Sequence, residues 1–334
     1  MTVRERIWRS QTLSYVRPLP QRLGVTPRGR SGRLQRVLTD FGCEQAFARA
    51  AESVLEHYGF AVGSTAVRAV TLAHAQRARA KLEAEYAQPF RALPAVGAPH
   101  VIAEADGTMI CTVAPGPRQG KRPREWQEMR LVAAQAKDSA TTFYGATFGS
   151  VAETGRRWGH SARQAGWGLN SQLHVVGDGA EWIPIQCQEV FGAQATFLCD
   201  FFHVSEYLGD AATSCRPTQP NQWRRTQQKR LRRGDLQKVI AALAEHLEPL
   251  GTLEEEAPVR NGHRYLSNRK DCLDYPRALA LGLPIGSGMI ESGHRHVLQA
   301  RLKKAGAAWL HDHADQIAHL RVLRANRQWQ SLWN

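Results

Sequence analysis

Between residues 37 and 86 the apolar positions recur with the period of a helix. Cys43, Phe47, Ala50, Ala51, Val54, Leu55 and Tyr58 return to one face, because steps of three and four stay on one side of a 3.6-residue turn. Gly59 closes that helix, residues 60–63 make a short turn, and Ser64 is a good N-cap for a second helix. The second helix carries Val67 and Val70 with Arg68, Arg77 and Arg79. Helix, glycine-containing turn, helix is the outline of a helix-turn-helix, predicted here within 37–95.

The pattern then changes. Residues 101–111 read as a strand with an acid, Asp106, inside it, and residues 129–136 and 141–148 as further short strands. Residues 115–123 form the turn between the first two, and 153–167 read as a basic helix. Two continuous apolar runs follow, 173–177 ending at Asp178 and 195–199 ending at Asp200. Unbroken apolar runs that end in a carboxylate fit buried parallel strands with functional groups at their C-terminal edge. The fold class expected is α/β, with the sheet spread over 96–212.

Residues 201–275 read as largely helical, with 213–282 set apart as a helical segment between the sheet and the turn that follows. A Gly-Ser-Gly turn, Gly286-Ser287-Gly288, then opens a helix with Glu291 in its first turn. His294, Val297, Leu298, Arg301, Leu302, Lys303 and Lys304 follow. Ala314, Ile317, Leu320 and Leu323 recur at helical spacing near the end, so 283–334 reads as a carboxylate-bearing helix followed by a packing helix.

Charge alters this picture. The chain has 334 residues, 44 Lys and Arg against 30 Asp and Glu, and a net charge of +14. Such an excess favours a polyanionic partner, nucleic acid first and anionic membrane second. Nine arginines against one acid make residues 1–36 a basic arm. Between Arg216 and Arg233 lie seven cations and no acid: Arg216, Arg224, Arg225, Lys229, Arg230, Arg232 and Arg233. Cations that close repel one another on a free helix, which favours a phosphate-facing role. Arg68, Arg301, Lys303 and Lys304 are further candidates for the DNA backbone. The six cysteines include no CxxC pair, so neither a zinc ribbon nor a disulfide framework is expected, only buried thiols in a reducing compartment. Neither a secretion signal nor an apolar run of about 20 residues occurs. The expected location is cytoplasmic and nucleoid-associated, with no membrane partner.

Three acids stand apart from the surface population. Asp106 lies in a strand before Gly107, Asp178 ends a strand before Gly179, and Glu291 starts a helix after Gly288. Glycine lets backbone and ligand approach closely. The order strand Asp, strand Asp, helical Glu permits convergence at one sheet edge. Clustered carboxylates repel unless cations neutralise them, and Mg²⁺ takes a few carboxylates plus substrate phosphate.

The residues 284–291, then Arg301-Leu302-Lys303, Gly306, Trp309 and Leu320-Arg321, resemble the C-terminal signature of ISKra4-type insertion-sequence transposases. The segments Ala105-Asp106-Gly107-Thr108, Gly177-Asp178-Gly179-Ala180-Glu181-Trp182-Ile183 and Asp200-Phe201-Phe202-His203 are similar to the other blocks, in order. The resemblance spans roughly residues 40–330. It implies a DDE transposase with a ribonuclease-H-like mixed sheet, flanking helices and a helical insertion before the glutamate. It implies Asp106, Asp178 and Glu291 as a triad holding two Mg²⁺ or Mn²⁺ ions. Asp200 and His203 would match an accessory Asp-x-x-His motif, with His203 orienting a scissile phosphate or steadying Asp178. The implied partners are double-stranded transposon-end and target DNA, with a homo-oligomer in the DNA complex. The alternatives weighed are a non-catalytic DNA-binding protein decayed from a transposase, a nuclease of the same fold that does not join strands and, remotely, a two-carboxylate glycosidase.

Overall fold

The strand-like runs assemble into one six-stranded mixed sheet. The computed structural model describes residues 9, 29–88, 92–116 and 122–333; most of the basic arm over 1–36 and the middle of the 115–123 turn lie outside the described residues. The strands are β1 (His100–Val113), β2 (Arg124–Ala136), β3 (Phe143–Thr147), β4 (Gln172–Gly177), β5 (Ala195–Cys199) and β6 (Trp309–Leu310). Their order is β3-β2-β1-β4-β5, with β6 beside the far end of β1. β1, β2 and β3 pair antiparallel, whereas β4 and β5 continue the sheet in parallel with β1.

Connection length explains the change of direction. Parallel neighbours need a crossover, commonly a helix. α4 (Val151–Gln164) precedes β4, and α5 (Trp182–Phe191) crosses from β4 to β5. A reciprocal capping box between Ser150 and Glu153 starts α4.

Alternation along β1 sorts its residues onto two faces. Val101, Ala103 and Ala105 pack with Leu173 and Val175 against Trp158 of α4 and Ile183 of α5. The even-numbered residues, Glu104, Asp106, Thr108 and Ile110, take the other face. There Ile110, Met129, Leu131 and Ala133 meet the C-terminal helices through Ile290, Leu298, Ile317 and Leu320.

The N-terminal helices are α1 (Gly32–Glu44), α2 (Phe47–Tyr58) and α3 (Ser64–Tyr86). The single helix expected through Cys43 and Phe47 is two helices, broken where Gln45 turns extended. An unbroken apolar period also suits two short helices bent around a third. Leu38, Ala50, Val54, Val67 and Val70 form the small core they share. Gly59, in the left-handed conformation, ends α2 as expected.

After β5 the chain builds a helical lobe of α6 (Phe201–Cys215), α7 (Pro220–Arg232), α8 (Leu236–Ala244), α9 (Pro258–Asn268) and α10 (Tyr275–Ala280). Leu208, Trp223, Leu231, Val239, Leu266 and Tyr275 are in its core. The chain returns to the sheet as α11 (Gly288–Gly293), a π-helical turn (His294–Gln299) and α12 (Ala300–Leu302), and ends with α13 (His311–Ala325). All six cysteines are free thiols, five of them buried. Among the described residues, no helix is long and apolar enough to cross a membrane.

Candidate functional site

Strand register brings Asp106 and Asp178 to one level. β1 and β4 are parallel neighbours with Glu104 opposite Val176. Two residues further along each chain stand Asp106 and Asp178, the second just past the end of β4. Neighbouring strands lie about 4.8 Å apart. Asp106 accepts a hydrogen bond from the Gly107 amide at 2.7 Å, and Asp178 accepts one from the Ala180 amide at 2.9 Å. One oxygen of each carboxylate is thus held by local backbone.

Glu291 comes from the other side of this face, on α11. Two buried acids fix that helix. Glu104, 1% exposed, accepts the Ile290 amide at 2.7 Å. Asp200, 2% exposed, accepts the Ser287 amide at 2.6 Å and also its hydroxyl. The unpaired amides of a helix start want such acceptors. Burial pushes the Glu104 carboxyl up to about 8, and the nearby Asp200 and Glu291 add to the rise against the Ile290 and Met289 amides. At neutral pH Glu104 is therefore mostly the uncharged acid, and it adds little charge to the set it supports.

His294, one turn after Glu291, comes within 3.2 Å of Asp106. The ring is 3% exposed. The approach is too far off-line for a hydrogen bond, so both ring nitrogens are buried without a hydrogen-bond partner. The π-helical turn begins at His294, and such turns are frequent at functional sites. At the end of the run, Lys303 donates to the Thr108 hydroxyl at 3.0 Å. The whole run from Ile290 to Lys303 is tied to the even face of β1.

The loop bearing Asp178 is held from the helical lobe. Tyr265 donates to the Asp178 carbonyl at 2.6 Å, and Arg269 donates to the Gly179 carbonyl at 2.7 Å. Gly179 has φ 85°, and a Cβ there would lie 2.6 Å from the Tyr265 hydroxyl, so this position requires glycine. Asp200 caps α6 through the Phe202 and His203 amides. The His203 imidazole lies 3.2 Å from Glu206, and its ring packs edge-on to Tyr207 and Tyr265. His203 thus reaches the Asp178 loop through Tyr265.

Asp106 and Asp178 stand level and Glu291 lies on the helix docked over the even face of β1, but the three do not close on one another. Among the described residues, no three His, Cys, Asp or Glu side chains are close enough to hold a metal ion as they stand. Of the described ion pairs, Asp106 has only the His294 contact, and neither Asp178 nor Glu291 has a Lys or Arg partner. Among the described residues, that leaves all three hard-oxygen donors without a lysine or arginine partner.

The expected DNA contacts divide into two groups. On α7, Arg225, Lys229, Arg232 and Arg233 are exposed, with Arg224 and Arg230 half-buried. Arg232 also stacks on Phe201, 4.6 Å from the ring centre. Lys304 is exposed at the end of α12. Arg68 is partly buried near His313. Arg301 is a correction to the expectation of a backbone-facing cation, being 3% exposed between the rings of Phe47 and Trp309.

Sequence reasoning missed Glu104, Tyr265 and Arg269, and it did not assign His294 a role. The signal for Glu104 was present: it lies two residues before Asp106, hence on the same face. Tyr265 and Arg269 act through backbone carbonyls about 90 positions away, which no local pattern encodes. No curated protein matches the chain. Residues 169–331, just under half of it, match the family described as an uncharacterised protein family, UPF0236, and over that stretch the chain is similar to its members.

Proposed function

We propose that the chain is a DDE transposase of the ISKra4 type, cleaving transposon ends and joining them to target DNA with Mg²⁺ or Mn²⁺. One observation carries the reading: Asp106 and Asp178 are level on adjacent parallel strands, and the helix bearing Glu291 is docked over that face. The strand order, three antiparallel strands followed by two parallel ones, supports a ribonuclease-H-like sheet. The family match spans Asp178, Asp200, His203 and Glu291.

The donor set suits two hard cations, since among the described residues none of the three carboxylates pairs with a lysine or arginine. When bound, the ions supply positive charge that activates an attacking hydroxyl and stabilises the leaving oxygen. The residues of the chain do the rest. Asp106, Asp178 and Glu291 hold the ions, and Glu104 and Asp200 fix the start of α11. Tyr265 and Arg269 fix the Asp178 loop, with His203 packed against Tyr265. The exposed cations of α7 hold the DNA backbone, and the homo-oligomer assembles on the paired ends.

The test pairs binding with chemistry. Asp106→Asn, Asp178→Asn and Glu291→Gln each keep DNA binding in a gel-shift assay and lose end cleavage and strand transfer by about a hundredfold or more, roughly 3 kcal/mol of barrier. A variant that still cuts and joins in Mg²⁺ removes that residue from the triad. Binding by the parent chain without metal-dependent nicking selects the non-catalytic DNA-binding alternative. Nicking without joining selects the nuclease.

A further inference from the structure

A second concavity lies at the opposite end of β1 from β4. It encloses about 530 Å³ between the N-terminal helices, the end of β1 and the start of α13, within the range of small-ligand sites. Its lining is mainly apolar, with Phe47, Leu72 and Trp309 among it. Arg68, Arg301 and His313 also line it, and none of the described residues that line it is acidic.

Arg301 makes this cavity unusual. Its guanidinium lies 4.7 Å from the ring centres of both Phe47 and Trp309. Its Nε donates to the Gly42 carbonyl at 3.0 Å, while one terminal nitrogen is buried with no hydrogen-bond partner among the described residues. Burial pushes this guanidinium down to about 10, far below the ordinary arginine value. Taking such a cation out of water without a carboxylate partner is costly. An anion held in the cavity beside Arg68 and His313 would offset part of that cost through space, without touching the buried nitrogen. Aromatic rings and arginines in one cavity suit a ligand that combines a flat ring with a phosphate.

We infer that this cavity receives an unstacked nucleotide of a DNA strand, its base against Phe47 and Trp309 and its phosphate near Arg68 and His313, with the buried Arg301 adding positive charge from behind the rings. The inference rests on the proposed action on DNA and adds a site to it. Arg301 follows Glu291 by ten residues on one helical run, roughly 15 Å at 1.5 Å per residue. That separation is on the order of four stacked nucleotides at 3.4 Å each. One strand can then present a phosphate to the carboxylates and an extruded nucleotide to the cavity. Extrusion costs least where the strand is already unpaired.

The experiment uses the full chain, EDTA and a single-stranded oligonucleotide carrying 2-aminopurine at one position. Its affinity is compared with that of the same strand carrying an abasic residue there. Arg68→Ala and His313→Ala are the variants, since both side chains are only partly buried and tolerate truncation better than Arg301 or Trp309. Thermal melts confirm that they fold. The parent chain should change the 2-aminopurine emission and bind the abasic strand about tenfold more weakly. Each variant should lose about the same factor on the intact strand and little on the abasic one. Equal affinities across strands, or variants that bind like the parent, overturn the inference. Since the readout needs neither metal nor cleavage, it separates from the triad test. Cleavage with no cavity effect sinks this site alone, and a cavity effect without cleavage sinks the transposase reading alone.

Discussion

Glu104 and Asp106 sit two residues apart on one face of β1, and exposure separates their chemistry. Glu104 is buried against the Ile290 amide, while Asp106 has 39% of its side chain exposed and is open to a ligand. The same separation of roles holds for Cys199 and Cys272. Cys199 ends β5 inside the helical-lobe core, and Cys272 lies partly buried against it. A hydrogen bond between the thiols holds Cys272 below the usual thiol range, with Arg269 assisting against burial and Asp271, and pushes Cys199 well above it. The thiolate is the nucleophile, so iodoacetamide should modify Cys272 first of the six, at a rate that rises near neutral pH. Peptide mapping after brief alkylation checks this, and earlier labelling of Cys199 would refute it. Asp106, Asp178 and Glu291 were singled out at this scale because each has a glycine close by where an ordinary strand or helix would not need one. Glu104 shares the face of Asp106, but with Ala103 and Ala105 beside it nothing local says that it is buried against another element. The groups that give it meaning lie 186 positions away.

Among the elements, α3 shows what periodicity can and cannot convey. The turn at Gly59 and the helix after it were legible from spacing, whereas the stretch before it was read as one helix where there are two. Which faces α3 buries was not legible, because burial depends on α13, far along the chain. α3 runs between α1 and α13, and its cations are engaged there. Arg79 pairs with Asp312 and Asp315, and Arg77 donates to the Leu332 carbonyl at 3.2 Å. Glu83 clips three helices together. It pairs with Arg157 of α4 and lies 2.9 Å from His319 of α13. The His319 hydrogen bond, then Arg157, hold its carboxyl below the usual range against partial burial. A carboxylate so lowered stabilises the fold above its ordinary value of 4.5, and the contribution is lost as pH falls through the lowered one. Arg157 is only 4% exposed, but Glu83 is 42% exposed, and solvent screening limits the effect. Glu83→Gln should cost roughly 1–2 kcal/mol at pH 7 and lose less stability than the parent on acidification below about pH 4.5. Denaturant melts at pH 7 and pH 4 measure both; equal midpoints at pH 7 would show that the clip contributes nothing.

On the scale of the whole molecule, the charge of +14 predicted a polyanionic partner without saying where it docks. The structure makes some surfaces better placed than others. Arg301 and Arg321 are buried, and Arg68, Arg77 and Arg79 are turned toward α13 and the C-terminus. The exposed cations of α7 lie elsewhere. Arg225, Lys229 and Arg233 recur every four residues and so share one side of that helix. Arg232, at its end, stacks on Phe201. Phe201 in turn donates its amide to Ile285 at 2.8 Å, in the turn that leads to Glu291. A duplex lying along α7 would therefore run toward the carboxylates. Each phosphate neutralised by a cation releases counterions, so the logarithm of affinity falls with the logarithm of salt by about 0.9 per contact on duplex DNA. Replacing Arg225, Lys229 and Arg233 together with alanine should reduce that slope by roughly 2–3 units, whatever the DNA sequence. All three side chains are exposed, so the fold should tolerate the change. Fluorescence anisotropy across a salt series gives the slope directly. A slope that matches the parent would place the DNA on another face and detach α7 from the path to Glu291.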